Sequence, residues 1–162
     1  VANGGKLYRP YLVNKVESVD GATVREYGPE LIRNIELKPD TLKRVHEALA
    51  DVVNGAGGTG GAARSQIVRV AGKTGTAQVV EMKGGYVKTE QLAYFNRDHA
   101  WFVSYAPVDN PQIAIAVLVE HGGHGGDAAA PMAKKVFEKF IELQKQSTDK
   151  QQVRVDGESR AN

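Results

Sequence analysis

The amino-terminal part of the chain contains short extended runs of mixed apolar and polar residues, which are typical of strands. The stretch YLVNKVESVDGATVREY holds two extended runs on either side of Asp20-Gly21, a dipeptide that suits the positive φ angles of a two-residue hairpin turn. Asn3-Gly4-Gly5 also has the composition of a turn. The pattern therefore predicts a turn near the start of the chain and a β-hairpin within residues 9–27.

From Asp40 to Asn54 the apolar residues recur at spacings of three and four, which is typical of an amphipathic helix. Asp40 is suited to cap the start of this helix, and Gly55 is suited to the position after its last turn. The apolar face consists of Leu42, Val45, Leu49, Val52 and Val53. The stretch GAGGTGGAARS that follows has too many glycines for a regular element and predicts a loop.

Three later stretches have the composition of β-strands. QIVRVAGKTGTAQVV is rich in β-branched residues and predicts either a strand pair or one long strand. HAWFVSYAP and QIAIAVLVE predict two more strands, and the second is apolar at almost every position from Ile113 to Val119. That continuous run predicts a central strand covered on both faces. Residues 81–98 are polar and weakly patterned, so a long loop is expected there.

The last periodic stretch predicts a helix from Asp127 to about Gln144, with Asp127 as its cap and Pro131 in its first turn. Its apolar stripe consists of Met132, Val136, Phe137, Phe140 and Ile141. Residues 147–162 are charged and polar with almost nothing to bury, which predicts a disordered tail. We therefore expect an α+β fold over residues 1–146, with helices packed against an antiparallel sheet.

Composition narrows the possible functions without selecting one. The chain of 162 residues is 41% hydrophobic, which is enough for the core of one ordinary domain. Its 21 basic and 19 acidic residues are scattered, so a nucleic-acid partner is not indicated. No run approaches the roughly 20 apolar residues that a membrane helix needs. The absence of cysteine excludes disulfides and thiolate metal sites.

Two glycine-containing stretches fall short of phosphate-binding motifs. Gly72-Lys73-Thr74 has the ending of a P-loop, but that motif needs a glycine at position 67, which is Ile67. The glycines at 55, 57, 58, 60 and 61 precede a predicted strand, whereas an anion cradle of this kind opens a helix. Turn formation is the better interpretation of these glycines.

The histidines give no convincing metal site, so no metal or other cofactor is predicted. His121, His124 and Asp127 lie in the segment HGGHGGD, whose four glycines provide no rigid geometry for ligands. A flexible connection from strand to helix is the more economical interpretation of that segment. His46 and His99 are single histidines, and neither is assigned a role in chemistry.

The segment Lys73-Thr74-Gly75-Thr76 combines residue types that are useful at one site. Lys73 offers an ammonium group, and Thr74 and Thr76 offer hydroxyl donors. Strand alternation places Lys73 and Gly75 on one face and the two threonines on the other. Gly75 leaves room for a ligand against the strand, and nearby backbone N–H groups can point at a developing oxyanion. The pattern indicates a ligand that is anionic and bears a carbonyl group.

Several blocks in a fixed order resemble a known family. VAGKTGTAQVV, HAWFVSYAPVDNPQIAIAVLVEHGG, AAP and the upstream ANGGKLYRPYLV are together similar to the end of the penicillin-binding transpeptidase domain. The likeness is to class B members, in particular the elongation type called penicillin-binding protein 2. It covers roughly residues 1–143.

Of the three motifs that the resemblance implies, only the last is present. The family carries Ser-x-x-Lys with the acylated serine, then Ser-x-Asn, then Lys-Thr-Gly. Ser147-Thr148-Asp149-Lys150 follows Lys73 in the polar tail and is a coincidental match. Tyr94-Phe95-Asn96 also lies on the wrong side of Lys73 to be the second motif. We therefore expect the nucleophile to lie upstream of Val1, and this chain alone to be inactive.

The resemblance also implies roles for single residues. Lys73 would supply positive potential that favours a neutral neighbouring lysine and attracts the substrate carboxylate. Thr74 and Thr76 would donate hydrogen bonds to that carboxylate, and the Thr76 N–H would form half of the oxyanion hole. Gly75 would let the peptide lie antiparallel to the strand. Ala77 and Gln78 continue this edge and have weaker claims to substrate contact.

The implied function is a peptidoglycan D,D-transpeptidase of cell elongation that β-lactams acylate. It would be anchored by an upstream segment and face the periplasm or the outside of the inner membrane. Its partners would be peptidoglycan stem peptides, the upstream half of the same protein and envelope proteins of elongation. A serine β-lactamase or a non-catalytic β-lactam sensor of the same fold shares the motif, and both stay open alternatives.

Overall fold

The computed structural model describes residues 1–80 and 87–159, including every side chain in these ranges except those of residues 90 and 149–159. The chain divides into two compact units, Val1–Val45 and His46–Asn162. Within the described ranges, no helix is long and apolar enough to cross a membrane.

The first unit contains two small antiparallel strand pairs and the first turns of a helix. Strand β1 (Lys6–Tyr8) pairs with β4 (Leu31–Asn34), and β2 (Lys15–Glu17) pairs with β3 (Thr23–Glu26). The predicted hairpin is therefore confirmed as β2–β3, and Gly4 and Gly5, both at positive φ, confirm the turn before β1.

The hairpin loop is wider than the two-residue turn that the sequence predicted. Ser18 donates its N–H to the Ala22 carbonyl at 2.9 Å, and Gly21 donates its N–H to the Ser18 carbonyl at 2.9 Å. Gly21 has a φ of 84°, as in three-residue loops that end in a left-handed glycine. Asp20 does not share that positive φ, because the wider loop requires it at one position only.

Helix α1 (Pro39–Asn54) confirms the predicted helix and corrects its cap. Leu42 donates its N–H to the Lys38 carbonyl at 3.0 Å, so Lys38 precedes the helix and Pro39 takes its first position. Asp40 lies inside the first turn, where its negative carboxylate interacts favourably with the positive end of the helix dipole. Gly55 follows the last turn and donates its N–H to the Asp51 carbonyl at 2.8 Å.

The second unit contains a three-stranded antiparallel sheet in the order β5-β6-β7. The strands are β5 (Ala71–Ala77), β6 (His99–Ala106) and β7 (Ile113–Val119). The stretch around Lys73 is thus one strand, not a pair. Residues 81–86 of the predicted long loop lie outside the described residues, and short 3₁₀ turns at Thr89–Gln91 and Tyr94–Asn96 precede β6.

The prediction that residues 113–119 form a central strand covered on both faces is wrong. In the described sheet β6 is the middle strand and β7 lies at an edge. Ile113, Ile115 and Val117 pack against the core, whereas Ala114 and Ala116 between them are exposed. Alanines at alternate positions made the run look continuously apolar, although only one face is covered.

Helices α2 (Gly125–Ala128) and α3 (Ala130–Ser159) follow the sheet. Asp127 lies within the first turn of α2, so the predicted cap at Asp127 is wrong, and Pro131 lies in the first turn of α3 as expected. Helix α3 continues past Gln144, so residues 147–159, expected to be a disordered tail, are helical. Helix propensity alone does not explain this difference, because most of residues 147–159 are Ser, Thr, Asp, Val or Gly, which favour a helix less than Lys, Gln, Glu or Arg. The domain boundary after residue 146 stays a prediction.

The core lies between one face of the sheet and helix α3. Phe102 of β6 and Phe137 of α3 are its largest fully buried side chains. Met132 and Val136 of the predicted stripe are exposed to 50% and 46%, so the stripe was predicted partly on the wrong side of the helix. The side chains of α3 that do pack in or against the core are Ala130, Ala133, Phe137 and Ile141. Small residues near the start of α3 allow it to approach the sheet closely.

Candidate functional site

Six consecutive candidate residues lie on or just beyond one strand. Lys73, Thr74, Gly75, Thr76 and Ala77 belong to β5, and Gln78 follows its last residue. One edge of β5 pairs with β6, in a register that places Thr74 opposite Phe102 and Gly75 opposite Trp101. Over the described residues no strand pairs with the other edge. Backbone groups along that edge are available to an extended ligand.

The two faces of β5 differ as strand alternation predicts. A Cβ at Gly72 would lie 2.6 Å from the ring of Phe102, so Gly72 and Thr74 point to the core face. A Cβ at Gly75 would lie 3.2 Å from Cβ of Trp101, on the opposite face. The absence of a side chain at Gly75 therefore leaves this face of β5 open beside Trp101.

The two charged or polar ends of the motif are open to solvent. Lys73 and Thr76 are exposed, whereas Thr74 and Gly75 are half-buried. The Lys73 Nζ donates to the carbonyl oxygen of Thr74 at 2.8 Å, so the ammonium group stays close to the strand. The site therefore offers a positive charge and a hydroxyl beside an unpaired strand edge.

The hydroxyl of Thr74 has a partner that the sequence did not indicate. Its Oγ1 lies 2.9 Å from Oγ1 of Thr59, and either oxygen can be the donor. Thr59 belongs to the glycine-rich loop that precedes β5, between Gly58 and Gly60. No periodicity or motif links these two threonines, because the contact depends on how the loop folds back.

The glycine-rich loop forms turns, as expected, but close packing explains two of its glycines. A Cβ at Gly58 would lie 2.3 Å from the Val52 carbonyl oxygen, at the end of α1. Gly60 donates its N–H to the same carbonyl at 2.8 Å. Neither glycine has a positive φ. The loop is therefore held against α1. A side chain does not fit at Gly58, nor at Gly55, where an added Cβ would lie 2.7 Å from the Asp51 carbonyl oxygen.

The segment expected to be a flexible connection before the last helix is also tightly packed. A Cβ at Gly125 would lie 1.9 Å from the Trp101 carbonyl oxygen and 2.7 Å from that of Gly75. A Cβ at Gly126 would lie 2.3 Å from the Thr59 carbonyl oxygen. These two glycines bring the start of α2 against the motif strand and its supporting loop.

His99 and His121 form a pair at the end of the sheet where β5 finishes. His99 lies opposite Ala77, and its Nδ1 accepts the His121 N–H at 2.9 Å. His121 has a φ of 55°, and its Nδ1 lies 3.1 Å from the Arg97 carbonyl oxygen, which can only accept. Those contacts fix the tautomers of both rings when the histidines are neutral. Across the described residues, no group of three or more ligand side chains could hold a metal ion.

Helix α1 is tied to the strands by two side-chain hydrogen bonds. Asn54 donates from Nδ2 to the Val70 carbonyl at 2.8 Å, one residue before β5. Tyr105 of β6 is buried, and its hydroxyl lies 2.9 Å from Nδ1 of His46. Burial raises the pKa of the Tyr105 phenol above its ordinary value. These bonds help to fix the entry to the motif strand.

The coincidental matches to the family's other motifs lie apart from β5. The Ser147 hydroxyl donates to the Leu143 carbonyl of its own helix at 3.0 Å, in the manner of a helix-interior serine. Tyr94-Phe95-Asn96 forms a 3₁₀ turn between β5 and β6, and the rings of Tyr94 and Phe95 contact His121. No described contact joins either segment to Lys73 or Thr76.

Comparison with known proteins matches most of this chain to one protein family. The family described as Penicillin binding protein transpeptidase domain matches residues 1–138. A Haemophilus influenzae protein named peptidoglycan D,D-transpeptidase MrdA is 38% identical over 145 residues, covering 87% of this chain and 22% of that protein. This chain thus spans about a fifth of the length of that relative.

Solved structures give the same result. Penicillin-binding protein A of Mycobacterium tuberculosis, in its imipenem acyl-enzyme complex, is 28% identical with a TM-score of 0.66, covering 86% of this chain and 28% of that one. Penicillin-binding protein PBP2 of Helicobacter pylori, in complex with MreC, is 31% identical with a TM-score of 0.55, covering 71% of this chain and 21% of that one.

Proposed function

Because this chain belongs to the penicillin-binding protein transpeptidase family, we propose that it is the part of a peptidoglycan D,D-transpeptidase that carries the substrate-binding strand. The observation that carries the proposal is the placement of Lys73, Thr74, Gly75 and Thr76 along β5, beside an edge that no described strand pairs with. That edge can receive an extended peptide by strand addition.

Each motif residue takes a role that suits its position. The exposed ammonium group of Lys73 provides positive potential for the terminal carboxylate of a stem peptide. The hydroxyls of Thr74 and Thr76 donate hydrogen bonds to that carboxylate. The N–H of Thr76 donates to the carbonyl oxygen that becomes negative in the tetrahedral intermediate. Gly75 leaves the space that the peptide backbone needs, and Ala77 and Gln78 extend the same edge.

The nucleophile of the proposed reaction is a serine outside these 162 residues. Its Oγ attacks the carbonyl between the last two D-alanines of the stem peptide, and the terminal D-alanine leaves as the C–N bond breaks. An amine of a neighbouring strand then attacks the acyl-enzyme, which forms the cross-link and releases the serine. β-Lactams acylate the same serine because their ring carbonyl takes the place of the peptide carbonyl.

The cell envelope is the proposed location, because peptidoglycan and its precursors are assembled there. We place the catalytic domain on the outer face of the inner membrane, held by an anchor elsewhere in the protein. The Helicobacter pylori relative was solved in complex with MreC, and this supports an elongation partner for the present protein as well. We propose that such a partner serves elongation and cell shape, as the resemblance to elongation-type penicillin-binding proteins implies.

Labelling with a fluorescent penicillin tests this proposal. The full-length protein that contains this chain is compared with its Lys73→Ala variant and with Lys135→Ala, which removes an exposed lysine from α3. We expect Lys73→Ala to lower the acylation rate at least about tenfold, because a charge-assisted contact is lost, and Lys135→Ala to leave it unchanged. Equal labelling of all three proteins contradicts the proposal.

The fate of the labelled protein separates the alternatives. Release of the acyl group that depends on an added amine supports a transpeptidase. Rapid hydrolysis without an amine indicates a β-lactamase, and an acyl group that neither hydrolyses nor transfers indicates a sensor.

A further inference from the structure

The hydroxyl of Thr59 lies 2.9 Å from the hydroxyl of Thr74, in the middle of the proposed substrate-binding motif. Resting on the function proposed above, we propose that Thr59 is a positioning residue that directs the Thr74 hydroxyl at the substrate carboxylate. Thr59 acts through Thr74, 15 residues further along the chain, and need not contact the substrate itself.

The number of hydrogens decides the direction of this contact. A threonine hydroxyl carries one hydrogen and can accept at its lone pairs, whereas a carboxylate only accepts. When Thr74 gives its hydrogen to the carboxylate, it can keep the bond to Thr59 only as an acceptor. Thr59 is then the donor, and the two hydroxyls form a chain that ends on the ligand. Each bond in such a chain polarises the next, which strengthens the contact with the anion.

The backbone around Thr59 is closely packed, although its side chain is exposed. Gly58 and Gly60, on either side of Thr59, are both held against the Val52 carbonyl at the end of α1. On the other side, Gly126 lies so close that a Cβ there would be 2.3 Å from the Thr59 carbonyl oxygen. The glycine-rich loop and the start of α2 therefore fix the backbone position from which the Thr59 side chain reaches Thr74.

Without Thr59 the Thr74 hydroxyl loses a constraint. Among the described residues, it is the Thr59 hydroxyl that forms a hydrogen bond with Thr74 Oγ1. A hydroxyl without that partner rotates among several orientations, of which only some point its hydrogen at the carboxylate. The expected consequence is weaker binding of anionic ligands, with little change in the chemical step at the serine.

The test uses penicillin acylation of the full-length protein, with the binding constant and the acylation rate constant measured separately. Thr59→Val removes the hydroxyl and keeps the shape, whereas Thr59→Ser keeps the hydroxyl. Thr41→Val, at an exposed position of α1, is the matched control. We expect Thr59→Val to weaken binding about 3- to 10-fold, the effect of one hydrogen bond, with the acylation rate constant unchanged. Thr59→Ser and Thr41→Val should both behave like the unsubstituted protein.

A double-mutant cycle tests the route through Thr74. If Thr59 acts on the ligand through Thr74, Thr59→Val causes no further loss in a protein that already carries Thr74→Val. A purely structural role for Thr59 predicts instead that the two losses add. Thermal unfolding of each variant shows whether it is folded, and Thr59→Ala replaces Thr59→Val if the valine variant does not fold.

Three results overturn the inference. These are additive losses in the cycle, an equal loss in Thr59→Ser and Thr59→Val, and no loss in Thr59→Val. If Lys73→Ala impairs acylation while Thr59→Val does not, only the role of Thr59 falls. If penicillin fails to acylate the unsubstituted protein, the proposed function falls and the role of Thr59 falls with it.

Discussion

Single residues beside the motif strand are constrained by space more than by backbone angle. Gly125 and Gly126 both have φ angles outside the left-handed region, yet a Cβ at either would lie closer than 2.5 Å to a carbonyl oxygen. Backbone atoms cannot move aside as the end of a flexible side chain can. The two positions therefore need glycine for close packing, and an added methyl group must displace the start of α2 or the supporting loop.

Gly126→Ala is expected to destabilise the protein by about 1–3 kcal/mol, the usual effect of overpacking a closely packed site. The midpoint of thermal unfolding of the full-length protein measures this loss. Gly57→Ala is the control, because nothing lies within 4 Å of a Cβ at Gly57. Equal midpoints for the two variants would show that α2 does not press on the loop.

The burial of the Tyr105 phenol leads us to expect a loss of stability at alkaline pH. Burial raises its pKa, so the folded state holds the phenolic proton more tightly than the unfolded state does. This contribution to stability is complete below the unfolded pKa of about 10 and is lost as pH rises through the higher folded value. Unfolding midpoints measured from about pH 9 to pH 11 should fall less steeply in Tyr105→Phe. Tyr11→Phe, at an exposed tyrosine, should fall as steeply as the unsubstituted protein.

Sequence alone placed the motif residues correctly on the two faces of β5, since alternation is a local property of a strand. It did not predict the contact of Thr59 with Thr74 or that of His99 with His121, because each contact joins residues from separate segments. Glycine was interpreted through turns and flexibility, whereas Gly58 and Gly125 are needed for close contact. Such requirements depend on neighbours that a single sequence does not reveal.

At the scale of elements, hydrophobic spacing predicted the strands and helices well but not their surroundings. The continuous apolar run of β7 predicts a central strand, whereas its alanines lie at exposed positions. The polar composition after Gln146 predicts disorder, whereas helix α3 continues to Ser159. Element type follows from local pattern, whereas edge or centre depends on the whole sheet.

The end of α1 depends on Arg64 from the loop that follows it. Its guanidinium group donates to the carbonyls of Val53, Asn54 and Gly55 at 2.9–3.3 Å, which satisfies the last turn of the helix. Arg64→Ala should destabilise the protein by about 1 kcal/mol, because Arg64 is exposed and water replaces part of its bonding. Chemical denaturation of the full-length protein measures the change.

Arg69→Ala is the control for that prediction, since Arg69 makes an exposed ion pair with Asp109 at 3.8 Å. Exposed pairs of this kind contribute little, so stability should stay nearly unchanged. A loss in Arg69→Ala as large as that in Arg64→Ala would contradict the role of Arg64 as a cap.

At the scale of the whole molecule, one face of the sheet carries large exposed apolar side chains. Trp101, Val103 and Leu118 are 37%, 48% and 43% exposed, and the strand register places them on the same face. This chain spans 22% of the length of its Haemophilus influenzae relative. Adjacent apolar groups of this kind favour association when nothing covers them.

Residues 1–162 expressed alone should therefore bind a dye for apolar surfaces and tend to aggregate. Trp101→Ser should reduce both effects, because it removes the largest of these exposed groups. Equal dye binding by Trp101→Ser and the unsubstituted chain would contradict this expectation.

The most direct test of the central claim is a crystal structure of the full-length protein acylated by penicillin. The account predicts that the ligand carboxylate lies within about 3 Å of the Thr74 and Thr76 hydroxyls, and that the ester carbonyl oxygen accepts the Thr76 N–H. The ligand would lie along the edge of β5 that is not paired with β6. A penicillin bound covalently with its carboxylate directed away from β5 would contradict the account.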